Sequence, residues 1–423
     1  MTRDVPGELT AVERAVVDAV SADALLDLVG ALVAVPTLSG DETAGQQLVA
    51  ARLATAGMDV DTWDIDMSTL ARHPWYSAEV DRGAALGVVG HIGAGRGRSL
   101  LLDGHIDVVP TGDPDDWTSP PFVATVRSGR VYGRGTCDMK GGLAAAIHAV
   151  EALATAGVEL AGRLSVASVV GEEDGGCGTL ALLEHDVTAD ACVIPEPTEL
   201  SVVPTVAGAL SWRITVRGRS AHGCLREEGV SAIERFLPVH AAVLGLERGR
   251  NARMGGGLFA WLDRPFAICG GRIAGGDWPS SEADWLTWEG RYGVAPGEDL
   301  DAARREFESA VATAAAHDEW LAEHPPTVEW WGGQFYPGQT DPDEPIVATV
   351  GAAANAVSGR SPTIRGMPYG CDLGLTVNVG AIPTVVFGPG DVRDAHRPDE
   401  SVAIADLVTA ARCLAVTALR FCN

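Results

Sequence analysis

Five segments of this chain put acids or histidine where a strand or turn hands over to a loop. LLLDGHIDVVP carries His105 and Asp107, and GRGTCDMKGG carries Asp138 in a glycine-rich turn. SVVGEEDGGCGT carries Glu172, Glu173 and Asp174; VIPEPT carries Glu196; VVFGPGDVRDAHRPDE carries Asp394, His396 and Glu400. Any one of these, taken alone, is ordinarily a cap or loop residue. Two histidines and three carboxylates that all follow buried apolar strands are different, because that much negative charge in one cleft is prohibitively costly unless a cation neutralises it. Mixed imidazole and carboxylate ligation suits Zn²⁺, with Co²⁺ or Mn²⁺ as substitutes, and an odd carboxylate can bridge two ions about 3.5–4 Å apart.

Such groups collect at the carboxyl ends of strands in an open α/β sheet. The runs at 84–92, 98–110 and 163–171 have strand character, and the Ala-rich stretch 139–157 between the last two reads as a helix ending at Gly157. Strand, helix, strand implies a largely parallel sheet, to which 190–198 adds a buried strand entering a Pro-rich loop. Upstream, 9–35 and 41–57 carry apolar positions at helical spacing, with Thr37, Ser39 and Asp41 as cap-type residues between them. From about residue 206 the texture changes. ALSWRITVRG, FAICGGRIAGG, DWLTWEGRYGV and TVEWWGGQF read as strands around helices at 229–249 and 298–323, the β-α-β-β-α-β order of a split ferredoxin-like unit. The α/β texture then resumes with a helix at 343–359, a strand at 382–387 and a closing helix at 400–420. The fold class is α/β, with a discontinuous domain over 1–205 and 336–423 and an inserted α+β domain over 206–335.

Composition narrows the partners. The 423 residues include 57 acids against 31 bases, a formal charge of −26, and a field of that sign repels nucleic acid and anionic lipid. Lys140 is the sole lysine, which fits either codon bias from a GC-rich genome or a salt-adapted surface. No apolar run reaches the roughly 18–20 residues of a membrane span. The first twenty residues show acids and an amphipathic pattern where a secretory signal needs an unbroken apolar stretch. The eight cysteines form no CxxC pair and read as free thiols in a reducing compartment. A soluble, cytoplasmic protein is the expectation.

Taken together, the GHIDVVP, DMKGG, GEEDGG, EPT and GPG…AH…DE motifs resemble, in order and over nearly the whole chain, the dinuclear zinc aminoacylase and exopeptidase family. That family includes acetylornithine deacetylase, succinyl-diaminopimelate desuccinylase and carboxypeptidase G. The resemblance implies two Zn²⁺ per subunit (Co²⁺ or Mn²⁺ as substitutes), one held by His105 and Glu196, the other by Glu173 and His396, with Asp138 bridging. It implies Glu172 as general base and Asp107 as the acid that orients His105. It also implies that the inserted domain is a lid and homodimerisation domain. In GRSAHGCLREEG, His222 would reach the partner's active site and polarise the scissile carbonyl; in WEGRYGVAPGED, Arg291 would meet a substrate carboxylate. One departure stands out: GGDWP puts Gly276 where the family usually has Asn. Trp330, Trp331, Phe335 and Tyr336 read as lid core and hinge packing, with an apolar acyl pocket as the second reading, and Lys140 reads as structural. The implied function is metal-dependent hydrolysis of the amide of an N-acyl amino acid or related small N-acyl amine, in the manner of acetylornithine deacetylase. A dipeptidase or carboxypeptidase of the same family is the alternative, since its metal chemistry is identical. A non-catalytic metal-binding homologue is a third reading, against which the intact ligand set and Glu172 argue.

Overall fold

Leu100, Leu101 and Leu102 are fully buried in the strand Ser99–His105, and this strand organises the larger sheet. It lies between Arg163–Val169 and Ala191–Ile194 and is parallel to both, and Thr384–Val386 pairs parallel with Ala191–Ile194. These strands are buried along almost their whole length, as strands covered on both faces are. In register His105 stands opposite Val169, so the loops that leave these strands emerge side by side. The strand Leu86–Ile92 pairs antiparallel with Arg163–Val169, and Asp59–Asp64 continues the nine-stranded sheet beyond it.

The computed structural model describes residues 8–423, so the start of the N-terminal stretch lies outside the described residues. The chain divides into two compact units. One comprises the chain up to Thr205 together with Gln339–Arg365 and Asp372–Asn423; the other comprises Val206–Gly338 and Gly366–Cys371.

In the first unit, the helix Lys140–Thr155 is buried along almost its whole length and packs against the closing helix Ile404–Cys422. Two features depart from the sequence reading, each through backbone hydrogen bonds to residues distant in the chain. The helical stretch 9–35 breaks into Ala11–Ala19 and Ala22–Val33 because Ser21 caps the second helix and gives its own N–H to His148 Nε2 at 3.0 Å. The stretch 400–420 begins as a short strand, Ser401–Ala403, paired with Arg130–Tyr132, before the helix starts at Ile404.

The second unit is a four-stranded antiparallel sheet in the order Ile268–Gly275, Trp285–Val294, Gly208–Arg217, Thr327–Phe335. Alternate residues of Gly208–Arg217 are buried, and Leu210, Trp212, Ile214 and Val216 pack with Phe236, Val239, Val243, Phe307 and Val311. These last five come from the helices Ala232–Met254 and Leu300–Ala316, which form the layer over the sheet. The expected helix at 298–323 is interrupted at Asp318, whose carboxylate accepts from the N–H groups of Trp320 and Leu321 and starts a new helix, Glu319–Glu323. Trp330 packs against this core, with its ring 5.4 Å from that of Phe307. No helix among the described residues is long and apolar enough to cross a membrane, and all eight cysteines are free.

Candidate metal centre

His105 ends its strand, and its imidazole is fixed from behind. Nδ1 lies 2.9 Å from the carbonyl oxygen of Asp107. A carbonyl only accepts, so Nδ1 carries a proton and Nε2 is the nitrogen turned to the cleft. There Nε2 meets Asp138 Oδ1 at 3.2 Å, Glu196 Oε1 at 3.4 Å and Glu172 Oε2 at 3.9 Å. On the far side of Asp138, His396 Nε2 lies 3.3 Å from Oδ2 and 3.0 Å from Glu173 Oε2. Asp138 thus turns one oxygen to each histidine. Two sets of donor atoms, from His105, Asp138 and Glu173 and from His105, Glu172 and Glu196, lie within 4.8 Å of one another.

The elements explain how these groups meet. Glu172 and Glu173 lie in a turn after Arg163–Val169, not on the strand itself. Strand alternation is therefore not what separates them: the turn sends Glu172 toward His105 and Glu173 toward His396. Asp138 precedes the helix Lys140–Thr155, whose first turn sits hard against the loop that bears Glu196. A Cβ on Gly142 would fall 1.9 Å from the carbonyl oxygen of Pro195, so glycine is what allows that approach. Lys140, fully buried, donates from Nζ to the carbonyls of Leu32 (3.0 Å) and Val35 (2.8 Å). Its role is to tie the end of the helix Ala22–Val33 to this turn.

Asp107 does more than the sequence implied. Its carboxylate is 3.7 Å from His105 Nδ1, and its two oxygens instead accept the backbone N–H groups of Glu172 (3.2 Å) and Glu173 (3.1 Å). The imidazole is oriented by the Asp107 carbonyl, while the side chain shapes the glutamate turn. Asp174 and Asp394, two further acids from the same motifs, pair away from the cluster with Arg82 and Arg130. Three features had no counterpart in the sequence reading. Arg82 is buried between Glu42 and Asp174 at 2.8 and 2.7 Å. The Thr179 hydroxyl lies between Asp103 Oδ2 (3.1 Å) and Asp372 Oδ2 (2.6 Å). Glu400 forms a buried ion pair with Arg134. Each links residues far apart in the chain, which leaves no local pattern to read.

The electrostatics show what the cluster demands. Burial pushes Glu172 well above the ordinary glutamate value, with Glu196 adding to it, and burial together with Asp138 lifts Glu196 to about 8. Burial works against a charged imidazole, yet Glu196, Asp138 and Glu172 outweigh it and hold His105 well above its usual value. His396 is likewise taken up to about 11, where Glu173 and Asp138 overcome burial. Burial would raise Asp138 too, but its hydrogen bonds to His105 and His396 win and hold it well below the carboxylate range. Glu172, Glu196 and both imidazoles are driven toward their protonated forms around an ionised Asp138, the signature of a cluster that calls for positive charge. Imidazole nitrogen and carboxylate oxygen are donors that suit divalent zinc, cobalt or manganese, so the set fits a pair of such ions.

A model of the peptidase family M20/M25/M40 matches residues 101–420. An N-formyl-4-amino-5-aminomethyl-2-methylpyrimidine deformylase of Halalkalibacterium halodurans is 31% identical over 94% of each chain. The chain belongs to the M20/M25/M40 peptidase family. Another relative of this M20 chain, a succinyl-diaminopimelate desuccinylase of Dechloromonas aromatica, is 39% identical over 35% of this chain and 42% of its own. The solved dipeptidase Dug1p of Saccharomyces cerevisiae shares the fold, with a TM-score of 0.78 at 15% identity over 99% of both chains. So does the YXEP protein of Bacillus subtilis, described as a dinuclear metal binding peptidase, with a TM-score of 0.60 at 17% identity over 95% of this chain and 98% of its own. This M20 protein is therefore a hydrolase of amide or peptide bonds.

His222 and Arg291 belong to the second unit. His222 is exposed and caps the short 3₁₀ turn Gly223–Glu228, its Nδ1 accepting from the N–H of Cys224 at 3.2 Å. Arg291 lies on the strand Trp285–Val294 and donates to the carbonyl of Pro368 at 3.0 Å; burial pushes its guanidinium below the usual arginine value. Gly276 adopts φ +67°, a left-handed conformation that asparagine also tolerates better than most residues.

Proposed function

We propose that the protein hydrolyses the amide of a small N-acyl amine at a site that takes two divalent ions, Zn²⁺ foremost. His105 and Glu196 hold one ion, Glu173 and His396 hold the other, and Asp138 is shared. The observation that carries this reading is Asp138 itself, with one oxygen 3.2 Å from His105 and the other 3.3 Å from His396. Divalent ions at such a site supply Lewis acidity toward an amide carbonyl and acidify water. Glu172, buried and not needed as a ligand, is the general base. It takes a proton from the attacking water and returns it to the leaving nitrogen, so that a C–O and an N–H bond form as the C–N bond breaks.

For the acyl group, formyl has the best support, because a relative that matches this chain along 94% of its length is a deformylase. An N-acyl amino acid, as in an acetylornithine-type substrate, is the second reading; the succinyl-diaminopimelate desuccinylase relative supports it. A panel of N-formyl, N-acetyl and N-succinyl amines and amino acids beside dipeptides, assayed with Zn²⁺ and Co²⁺, separates these. Fastest turnover of an N-formyl amine supports the first reading; turnover of dipeptides alone would replace it with a peptidase.

The working form in this proposal is a cytoplasmic homodimer joined through the second unit. Its edge strand Ile268–Gly275 is exposed at every residue after Ile268, and an open edge is best covered by an isologous contact with a second copy. His222 then acts in trans, donating to the developing oxyanion, a contribution of about 2.7–4 kcal/mol. Mixing inactive Glu172→Gln and His222→Ala proteins under subunit exchange restores one complete site per heterodimer if the role is in trans. No recovery despite proven exchange would refute it.

A further inference from the structure

We propose that Glu400 is a positioning residue of this centre, holding Asp138 and the His396 loop in place as Asp107 holds Glu172 and Glu173; the inference rests on the metal-centre reading above. Glu400 is completely buried. Its Oε1 accepts two consecutive backbone N–H groups, those of Cys137 (2.9 Å) and Asp138 (3.1 Å), while Oε2 accepts from Arg134 at 2.6 Å. Its own carbonyl accepts from the N–H of Gly133 at 3.0 Å. The turn that presents Asp138 is thus gripped at both ends by one residue of the His396 loop. With its N–H directed into Glu400, Asp138 is left to face its carboxylate toward the two histidines.

That loop needs an anchor. His396 has φ +59° and Asp399 φ +55°, and non-glycine residues hold such conformations only where their surroundings over-determine them. Glu400 is the buried anchor that follows directly.

The two histidines are served alike. Two residues after His105, Asp107 reaches across to the N–H pair of Glu172 and Glu173. Four residues after His396, Glu400 reaches across to the N–H pair of Cys137 and Asp138. Each cross-tie fixes a carboxylate-bearing turn to a histidine-bearing segment distant in sequence, so the spacing of one ligand set depends on the other. The task requires a carboxylate: all three groups facing Glu400 are donors, and a glutamine would have to turn its NH₂ toward one of them.

Glu400→Gln alone leaves the Arg134 guanidinium buried without its counter-charge, so the decisive variant is Arg134→Leu/Glu400→Leu, which replaces the ion pair by apolar groups and removes the acceptor of the Cys137 and Asp138 N–H groups. Metal-free wild-type and variant proteins are compared by thermal unfolding and then titrated with Co²⁺, following the visible absorption that reports coordination geometry. The expected result is a folded metal-free variant whose cobalt affinity is about 10–100-fold weaker and whose visible spectrum is altered. A folded variant that binds two cobalt ions with wild-type affinity and spectrum would overturn the proposal. So would a double variant that does not fold without metal, since Glu400 would then serve the fold and not the centre. Wild-type protein that takes up no cobalt would remove the metal-centre reading itself, a failure visible before any variant is compared.

Discussion

Glu172 and Glu173 are neighbours in sequence with different work to do, and the environment of each assigns it. Glu173 faces His396 at 3.0 Å, close enough to share a cation, whereas Glu172 is 3.9 Å from His105 and is raised well above the usual glutamate value by burial and Glu196. A raised value suits a group that must accept a proton and hand it on. Glu172→Gln is expected to lower kcat by about 10²–10⁴-fold while metal content, measured by elemental analysis, stays at the wild-type level. Loss of metal together with activity would mean that the two roles had been exchanged. Asp107 teaches a related lesson. From sequence it reads as a partner of the His105 ring; in the structure its carbonyl meets the ring and its carboxylate organises residues 65 and 66 positions away.

At the scale of elements, the strand ends are what the sequence makes legible. Apolar runs that stop at an acid or a histidine mark where the sheet delivers its chemistry, and the residues of those motifs do converge. A ligand cannot be told from a residue that holds one by this means. Glu400 and Glu173 are both acids in loops beyond a strand of the sheet, and what separates them is a bond to backbone donors more than 200 residues distant. Helix breaks at Ser21 and Asp318 were equally hidden, each set by a single capping side chain inside a stretch of unbroken helical spacing. The DMKGG glycines have a physical reason visible only in three dimensions. Gly142→Ala would drive a methyl group into the Pro195 carbonyl, and backbone cannot yield as a flexible side chain can. The expected cost is about 1–3 kcal/mol of stability, read by denaturant unfolding. Metal occupancy should fall as well, because Asp138 is pushed away from Glu196. An alanine variant with wild-type stability and metal content would show that this contact does not position the site.

For the whole molecule, the centre couples folding, protons and metal. In the metal-free chain Glu196 titrates near 8 against an ordinary 4.5, and His396 near 11 against 6.5. A folded value above the unfolded one gives stability that is fully present at low pH and lost as pH rises through the interval between them. Glu196 therefore withdraws stability between about pH 4.5 and 8, and His396 does so above about pH 6.5. Metal-free protein should melt at a lower temperature at about pH 8 than at about pH 5, with Zn²⁺ restoring more of the loss at the higher pH, where fewer protons compete for the ligands. A melting temperature that rises over this interval in metal-free protein would count against the protonation pattern. The central claim, a two-ion amide hydrolase, is tested most directly by titrating exhaustively chelated protein with Zn²⁺ or Co²⁺ while following hydrolysis of an N-formyl amine. The account predicts no activity without metal, and recovery that saturates at two ions per chain. Full activity after chelation, or saturation without any hydrolysis, would contradict it.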